Sequence, residues 1–321
     1  MSAYYFDCCV VASANFHEKR FTADPAGFEL FSAWLLELEI KHCWAGIEHT
    51  GGYEQALAKY LLKNGHRVSL LSGFKVLRHK EMEGKRSKTD KGDARAIAGF
   101  VKKNKPALWS PRPDSFLELL ELKNHRDSLV RTHTAWLNKR SAPKTSEYAH
   151  AQQDTLIEVI RVLIEDAEKQ ILTCIESDSD IQRCISRMDT VTGVGVTTAT
   201  AFLAESGPLN RKTYPTPESL SLAAGLAPLP WMSGISVNGT YTKPYGNSKM
   251  RSCLNLPASI ARRTDPALGL FAKRLEQRGK SKAVQNRAVK RKLVHILWAV
   301  AVNDEDYDPE KAVSKHLPKR P

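Results

Sequence analysis

Residues 42–72 read HCWAGIEHTGGYEQALAKYLLKNGHRVSLLS, with an apolar, strand-like run on each side of a helix-like segment. The first run ends on Glu48, and Gly65 stands where the residue just beyond a helix C-terminus is expected. Strand, helix and strand in succession predict a parallel crossover, because two parallel strands need a connection that returns across the sheet. This segment therefore predicts an α/β fold.

The residues on either side extend this pattern. YYFDCCVVA at residues 4–12 is rich in aromatic and β-branched residues and predicts a strand, with residues 16–22 as its hairpin partner. Apolar residues at helical spacing follow Pro25, and residues 87–104 predict a further helix that begins near residues 88–90. We expect residues 1–110 to form one α/β domain.

Beyond residue 110 the pattern changes to long helical stretches with few glycines or prolines. Residues 116–140 and 155–176 predict two helices, which resemble an antiparallel hairpin within a linker of residues 111–180. The second helix carries one apolar stripe: Leu156, Ile160, Leu163, Ile164, Ala167, Ile171 and Ile175. Such a stripe serves either as intramolecular core or as a dimer contact, and the sequence leaves both open.

Residues 181–321 predict a third, mostly helical domain. Within DTVTGVGVTTATAFLAESG at residues 189–207, Gly193 and Gly195 mark a tight turn between two helices. This helix-hairpin-helix pattern can hold a DNA phosphate on backbone N–H groups, although an ordinary helix turn gives the same pattern. Further on, residues 281–302 predict a basic amphipathic helix.

The chain has 321 residues and a formal net charge of +13, and its basic residues recur in segments 75–91, 243–263 and 273–292. Such an excess favours a polyanionic partner, most often nucleic acid, because neutralising phosphates releases counterions. The alternative is a solvated basic surface with no specific partner. The candidates for phosphate contacts are Lys88, Lys243, Lys249 and Arg251.

The six cysteines lack C-x-x-C spacing and have no histidine cluster beside them, so they indicate reduced thiols and not a zinc site. The N-terminal residues lack the basic and apolar regions of a signal peptide. The apolar run ILWAVAV at residues 296–302 is too short to span a bilayer. We expect a soluble, cytoplasmic protein without a membrane partner.

Three acidic residues are candidates for a metal site. Asp90 and Asp93 stand three residues apart at a predicted helix start, so they share one face, where two carboxylates repel unless a cation lies between them. Mg²⁺ suits this position because it takes carboxylate oxygens and keeps waters for a phosphate substrate. Glu48, at a strand end where α/β sheets bind ligands, supplies a third carboxylate. The alternative is that Asp90 caps the helix and Asp93 makes surface pairs.

Ser233 precedes a glycine in the loop-rich residues 220–254, between two basic segments. A serine in such a loop could act as a nucleophile. However, the chain has no G-x-S-x-G elbow here and no histidine nearby in sequence to serve as a base. Taken alone, Ser233 is typical of a turn.

Several motifs occur in one order along nearly the whole chain: GIEHTGGY (46–53), KTDKGDARAIA (88–98), DTVTGVGVTTATAFLAESG (189–207), LAAGLAPLPWMSG (222–234), YGNSKMRSCL (245–254) and RLEQRGK…RAVKRKLVHI (274–296). Together they resemble the DEDD-type insertion-sequence transposases, the "one-ten" family of bridge-RNA-guided recombinases. Thr192 departs from this family, which usually has proline before G-[IV]-G.

The resemblance implies a RuvC-like, ribonuclease-H-like mixed-sheet domain at the N-terminus, whose carboxylates bind Mg²⁺. Glu48, Asp90 and Asp93 match the second, third and fourth acidic positions of the family. It further implies a helical linker used in assembly into a dimer or tetramer. It also implies a C-terminal transposase domain in which Ser233 attacks a DNA phosphate and forms a covalent phosphoserine link.

For partners, the resemblance implies donor and target DNA together with a structured guide (bridge) RNA that pairs with both, in a nucleoid-associated prokaryotic protein. Two other functions stay open. One is a RuvC-like, metal-dependent nuclease without a covalent step. The other is an inactive nucleic-acid-binding remnant that lacks the first catalytic aspartate.

The first acidic position of the family has no clear match in this chain. The family carries that aspartate on its first strand, whereas YYFDCCVV resembles the second strand, so Asp7 matches a different aspartate. We expect the first catalytic aspartate to be encoded upstream of Met1. The alternatives are a degenerate copy, or a rearranged hairpin in which Asp7 substitutes for the missing residue.

Overall fold

The computed structural model describes residues 4–12, 15–49, 51–82, 90–143, 146–233, 237–241 and 246–310; for residues 90–91, 229–233 and 237–241 it describes only the backbone. The chain divides into two compact units, residues 1–111 and residues 112–321. Each unit has a hydrophobic core of its own.

The first unit begins with the predicted hairpin. Strands β1 (Tyr5–Ala12) and β2 (Asn15–Thr22) pair antiparallel. Helix α1 (Pro25–Glu37) follows, and its N-cap is Asp24, whose carboxylate accepts a hydrogen bond from the Gly27 N–H at 2.7 Å. This contact satisfies one of the N–H groups that a helix N-terminus leaves unpaired, which fixes where α1 begins.

The crossover predicted from residues 42–72 is confirmed. Strands β3 (Trp44–Glu48) and β4 (Arg67–Leu71) are parallel, with Glu48 opposite Leu71, and helix α2 (Glu54–Lys63) connects them. Gly65, just beyond α2, has φ of +77°, a conformation that favours glycine over residues with a Cβ. The sequence signal at Gly65 therefore has a direct backbone cause.

Two further helices complete the first unit. Helix α3 (Gly73–Met82) was not predicted, whereas α4 (Asp90–Asn104) begins within the predicted range. Helix α4 packs against both β1 and β3. Among the described residues, β1 pairs only with β2 and β3 only with β4, so the strands form separate two-stranded sheets. This arrangement is compatible with an α/β fold, and the RuvC-like detail stays a prediction.

The core of the first unit is mainly aromatic. Phe6, Phe21, Phe28, Phe31 and Trp34 are all buried. The ring centroids of Phe21 and Phe31 lie 5.4 Å apart in an edge-to-face arrangement, a favoured geometry for aromatic pairs. This cluster fixes α1 against the β1–β2 hairpin.

The second unit opens with the predicted helical hairpin. Helices α5 (Asp114–Arg140) and α6 (Glu147–Ser177) are joined by ion pairs between Arg126 and Glu168 and between Arg140 and Asp154. Moving forward along α5 between these pairs moves backward along α6, so the helices are antiparallel. The predicted stripe on α6 splits in two: Ile160, Ala167 and Ile175 are buried, whereas Leu156 and Leu163 are 41% and 47% exposed.

The remaining elements of the second unit are α7 (Ser179–Asp189), α8 (Val196–Ser206), α9 (Pro217–Ala223), β5 (Leu229–Ser233), β6 (Val237–Tyr241), α10 (Ser248–Cys253), α11 (Asn255–Thr264), α12 (Pro266–Gln277) and α13 (Lys282–Asn303). The predicted helix pair around Gly193 and the predicted C-terminal helix are confirmed. The loop-rich segment contains more structure than expected, since β5 and β6 pair antiparallel.

The cysteines form no disulfide bonds among the described residues. All six cysteines are free thiols. Burial raises the pKa of the Cys43 thiol to about 11 and that of the Cys253 thiol to about 12, which keeps both protonated near neutral pH. Among the helices of the described residues, none is both long enough and apolar enough to cross a bilayer.

Candidate functional site

Glu48 is the last residue of β3, at the edge of the β3–β4 pair where both strands end. Its carboxylate lies directly above Gly73, the first residue of α3. A Cβ added at Gly73 would stand 2.5 Å from Glu48 Oε1, which is closer than such atoms approach. Glycine at position 73 therefore makes room for the Glu48 side chain.

The loop between Glu48 and α2 is held by an acidic residue that the sequence reasoning missed. Glu54 is fully buried and accepts a hydrogen bond from the Gly52 N–H at 2.9 Å. Its other oxygen lies 3.2 Å from His49 Nδ1. Gly51 and Gly52 have φ of +80° and +119°, so the G-G motif gives the loop a backbone that other residues rarely adopt. In the sequence, the signal for Glu54 was its position two residues after this motif.

Asp93 lies in the first turns of α4 and is ion-paired with the ammonium group of Lys80 on α3. Lys80 is 5% exposed, and a charged group buried to this extent needs a partner of opposite charge. Lys80 was not among the residues predicted for the site, because α3 itself was not predicted. Asp90 is the first residue of α4, but its side chain lies outside the described residues, as does Lys88.

Glu48 and Asp93 line one cavity of about 570 Å³ in the first unit, between β1 and β3. Asp7 lines the same cavity, and its carboxylate accepts two hydrogen bonds from Arg20, both at 2.9 Å. Three acidic residues that are distant in sequence thus share one cavity. The pairing of Asp7 with Arg20 neutralises one of these carboxylates.

Among the described side chains, no three acidic, histidine or cysteine groups are close enough together to hold a metal ion. Asp90, one of the three expected ligands, is not among those side chains. Glu48 and Asp93 supply oxygen donors of the kind that Mg²⁺ prefers. The oxygen donors of these two residues are therefore suitable ligands for Mg²⁺, and a third ligand would have to come from another residue.

The two turn glycines of the second unit occupy different environments. Gly193 has φ of +84°, and a Cβ there would lie 3.0 Å from the Pro257 carbonyl oxygen and 3.2 Å from Ile260 of α11. Close packing thus accounts for Gly193 without a ligand. Gly195 is the N-cap of α8 with an extended backbone, and no atom lies within 4 Å of where its Cβ would be.

Ser233 is the last residue of β5, and its Cα lies opposite that of Val237 in β6. Ser233 therefore ends a strand, whereas its sequence context is typical of a turn. Its side chain, Gly234 and Lys243 lie outside what the structure describes.

Lys249 and Arg251 have contacts within the second unit. Lys249 Nζ donates to Asn124 Oδ1 at 2.7 Å and lies 3.6 Å from Glu205 Oε1. Arg251 Nη1 donates to the Ala224 carbonyl oxygen at 2.9 Å. Both side chains therefore stabilise the fold around α10, in addition to any contact with nucleic acid.

A buried ionic network, also missed from the sequence, joins α8 to α5 and to the start of α10. Glu205 accepts hydrogen bonds from Lys123 Nζ and from Asn247 Nδ2, both at 2.8 Å. Burial opposes ionisation of Glu205. The hydrogen bonds from Lys123 and Asn247 outweigh it, so the pKa of Glu205 lies below its usual value.

Comparison with known proteins agrees with the family suggested by the motifs. A DEDD-type transposase model of IS110 matches residues 1–142, and a model described as transposase IS116/IS110/IS902 family matches residues 185–273. Pilin gene-inverting proteins of Moraxella bovis and Moraxella lacunata are each 29% identical over 311 residues, which is 94% of this chain and 94% of each relative. An uncharacterised 43.6 kDa protein of insertion element IS110 from Streptomyces coelicolor is 30% identical over 116 residues, 36% of this chain and 28% of that relative. The two family matches together cover most of the sequence and both describe a transposase, and the chain therefore belongs to the IS110 family of transposases.

Proposed function

We propose that the chain cuts and rejoins DNA strands, with Glu48, Asp90 and Asp93 as ligands for Mg²⁺ and Ser233 as the nucleophile. The observation that carries this proposal is the shared cavity of Glu48 and Asp93, which the chain brings together from β3 and α4. Both residues belong to the family match over residues 1–142, and Ser233 belongs to the match over residues 185–273.

The carboxylates of the first unit would hold the metal ion. When bound, Mg²⁺ stabilises negative charge on a phosphate and lowers the pKa of an oxygen that it coordinates. Glu48 is positioned for this role by the end of β3 and by the space above Gly73. Asp93 is positioned by the buried ammonium of Lys80.

In the covalent step, Ser233 Oγ forms a bond to a DNA phosphorus atom while one bridging P–O bond of the DNA breaks. The proton lost from the serine hydroxyl is balanced by the proton that the leaving DNA oxygen takes up. The phosphoserine ester keeps the energy of the original phosphodiester, so a second DNA end can reverse the step without an external energy source. A serine hydroxyl is a weak nucleophile unless it is activated.

We further propose that a structured guide RNA selects donor and target DNA by base pairing, and that the active form is a dimer or tetramer. The exposed part of the α6 stripe, including Leu156 and Leu163, supports self-association because an apolar helix face favours burial. The related proteins from Moraxella carry a name that describes inversion of a pilin gene. We infer that exchange of strands between two DNA sites is the reaction class for this chain as well.

The covalent step is tested by incubating the protein with its guide RNA and labelled DNA and running a denaturing gel. We expect a protein–DNA adduct in the parent and none in Ser233→Ala. The matched control is Ser236→Ala, which removes a hydroxyl three residues away and should leave the adduct intact. An adduct that persists in Ser233→Ala would assign the nucleophile to another residue. Metal-dependent cleavage without any adduct would favour a nuclease without a covalent step.

A further inference from the structure

A cleft of about 680 Å³ in the second unit is lined by residues of α10, α11 and the N-terminal half of α13. The cationic side chains on its wall are Arg251, Arg262, Lys282, Arg287 and Lys290. We call this the basic cleft. Among the described residues that line it there is no aspartate or glutamate. The basic cleft therefore concentrates positive charge without a carboxylate in its wall.

Several arginines elsewhere in the same unit are paired with acids. Arg140 contacts Asp154 at 2.7 Å, and Arg187 contacts Asp304 at 2.8 Å. By contrast, within the part of the chain that the structure describes, Arg262 and Arg287 have no carboxylate within ion-pair distance. Among the described residues, Lys282 and Lys290 of the same cleft also have no carboxylate within ion-pair distance.

The cationic groups of the basic cleft act on one another. Burial lowers the pKa of Lys290, and the positive charges of Arg287 and Arg251 lower it further. Lys290 donates a hydrogen bond to Asn255 Oδ1, a neutral acceptor that does not offset the charge. Because like charges held close together repel, an anion in the basic cleft would relieve an unfavourable interaction that the protein carries without it.

The rest of the wall suits an anion with several oxygens. The neutral donors that line the basic cleft are Ser248, Ser252, Ser259, Asn255 and Asn286. Guanidinium groups bind phosphate oxygens in pairs, and hydroxyl and amide donors fill the remaining positions. A volume of this size is in the range that holds a nucleotide-sized group.

We propose that the basic cleft binds the phosphodiester backbone of a nucleic acid, with Arg262 and Arg287 as its principal contacts. This inference rests on the proposed function, and it assigns a nucleic-acid contact to α11 and α13, beyond the residues selected from the sequence. The same backbone chemistry is present in DNA and in RNA, so the wall of the cleft alone specifies a polyphosphate chain.

The test measures binding to a short labelled DNA duplex and, separately, to a single-stranded RNA of the same length, by fluorescence anisotropy over a range of salt concentrations. The variants are Arg262→Gln and Arg287→Gln. The matched control is Arg278→Gln, because Arg278 is exposed and lies outside the basic cleft. Loss of one phosphate contact should lower the slope of log affinity against log salt by about 0.9 for the duplex or about 0.7 for the single strand.

We expect the cleft variants, and not Arg278→Gln, to lose about tenfold in affinity and to show the smaller slope. If the cleft variants lose affinity for the duplex alone, the cleft binds DNA. If they lose affinity for the single strand alone, it binds RNA. Equal slopes for the parent, the cleft variants and the control with both probes would overturn the proposal. Binding requires no covalent step, so the results for the cleft variants do not depend on whether Ser233 is the nucleophile.

A second measurement separates a phosphate contact from a structural role. Without nucleic acid, Arg287→Gln should unfold at the same temperature as the parent or slightly above it, because the substitution removes repulsion. With saturating nucleic acid, the parent should gain more in thermal midpoint than the variant. A variant that is destabilised equally with and without nucleic acid would indicate that Arg287 only maintains the fold.

Discussion

The buried ammonium of Lys80 donates a hydrogen bond to the carboxylate of Asp93, which is one of the proposed metal ligands. A lysine in this position neutralises Asp93 when no metal is bound. Bound Mg²⁺ would place a second positive charge near the same carboxylate. The ion pair and the metal therefore compete, and the strength of metal binding depends on Lys80.

This competition predicts the behaviour of Lys80→Gln. The variant should unfold at a lower temperature than the parent in the absence of Mg²⁺, because the partly buried carboxylate of Asp93 loses its partner. Added Mg²⁺ should raise its thermal midpoint more than that of the parent, since ligands stabilise the state that binds them. The control is Arg140→Gln, which breaks an ion pair on the helical hairpin. Equal Mg²⁺-induced shifts in Lys80→Gln and the parent would contradict a metal at Asp93.

The metal assignment itself predicts that Asp93→Asn and Asp90→Asn abolish Mg²⁺-dependent strand cleavage. An amide cannot supply the negative charge that holds the ion, whereas it preserves the size of the side chain. Guide RNA binding should be largely retained. Asp166→Asn, on the exposed face of α6, is the control for loss of one carboxylate. Undiminished cleavage in both variants, measured on a labelled duplex, would remove these aspartates from the site.

In the first unit, some elements could be predicted from the sequence and others could not. The crossover between β3 and β4 was predictable because a strand pattern of period two and a helix pattern of period 3.6 leave clear traces, and Gly65 marks the helix end. Helix α3 was missed because its residues, GFKVLRHKEM, have a weak apolar face. Lys80 could not be selected for the same reason.

The contacts of the site depend on pairings between distant residues, which no local pattern encodes. Motif spacing identified Glu48 and Asp93 as candidates. Only the packing of α4 against β1 and β3 brings the two residues to the wall of one cavity. The basic cleft is similar. The charge runs at residues 243–263 and 273–292 were visible, yet a solvated helix face and a cleft wall have the same composition. Only the structure distinguishes the clustered cations from those paired with acids.

The network around Glu205 predicts a specific acid sensitivity. The folded-state pKa of Glu205 is below its ordinary value of 4.5, so its ionised form stabilises the fold fully above that pH. This contribution is lost as the pH falls from about 4.5 through the folded-state pKa. Urea unfolding at several pH values should show a smaller loss of stability below about pH 5 in Glu205→Gln than in the parent. The same pH dependence in both proteins would show that the network does not control acid stability. A control substitution, Glu165→Gln on the exposed hairpin, should follow the parent.

The turn glycines separate a structural role from a role in nucleic-acid binding. Gly193→Ala should destabilise the protein by about 1–3 kcal/mol, because the left-handed backbone and the contacts with Pro257 and Ile260 leave no room for a Cβ. Gly195→Ala should cost less than about 1 kcal/mol, since its backbone is extended and no atom stands near its Cβ. Urea unfolding measures both values.

Binding to a labelled DNA duplex then tests the second role. If the α8 N-terminus holds a phosphate on its backbone N–H groups, a methyl group at position 195 obstructs that approach. We therefore expect Gly195→Ala to weaken duplex binding about threefold to tenfold while the protein stays nearly as stable as the parent. Gly193→Ala, measured at a temperature where it is folded, should bind like the parent because residue 193 faces α11. Unchanged binding in Gly195→Ala would make this turn an ordinary connection between α7 and α8, and the basic cleft would then be the principal candidate for phosphate contacts in the second unit.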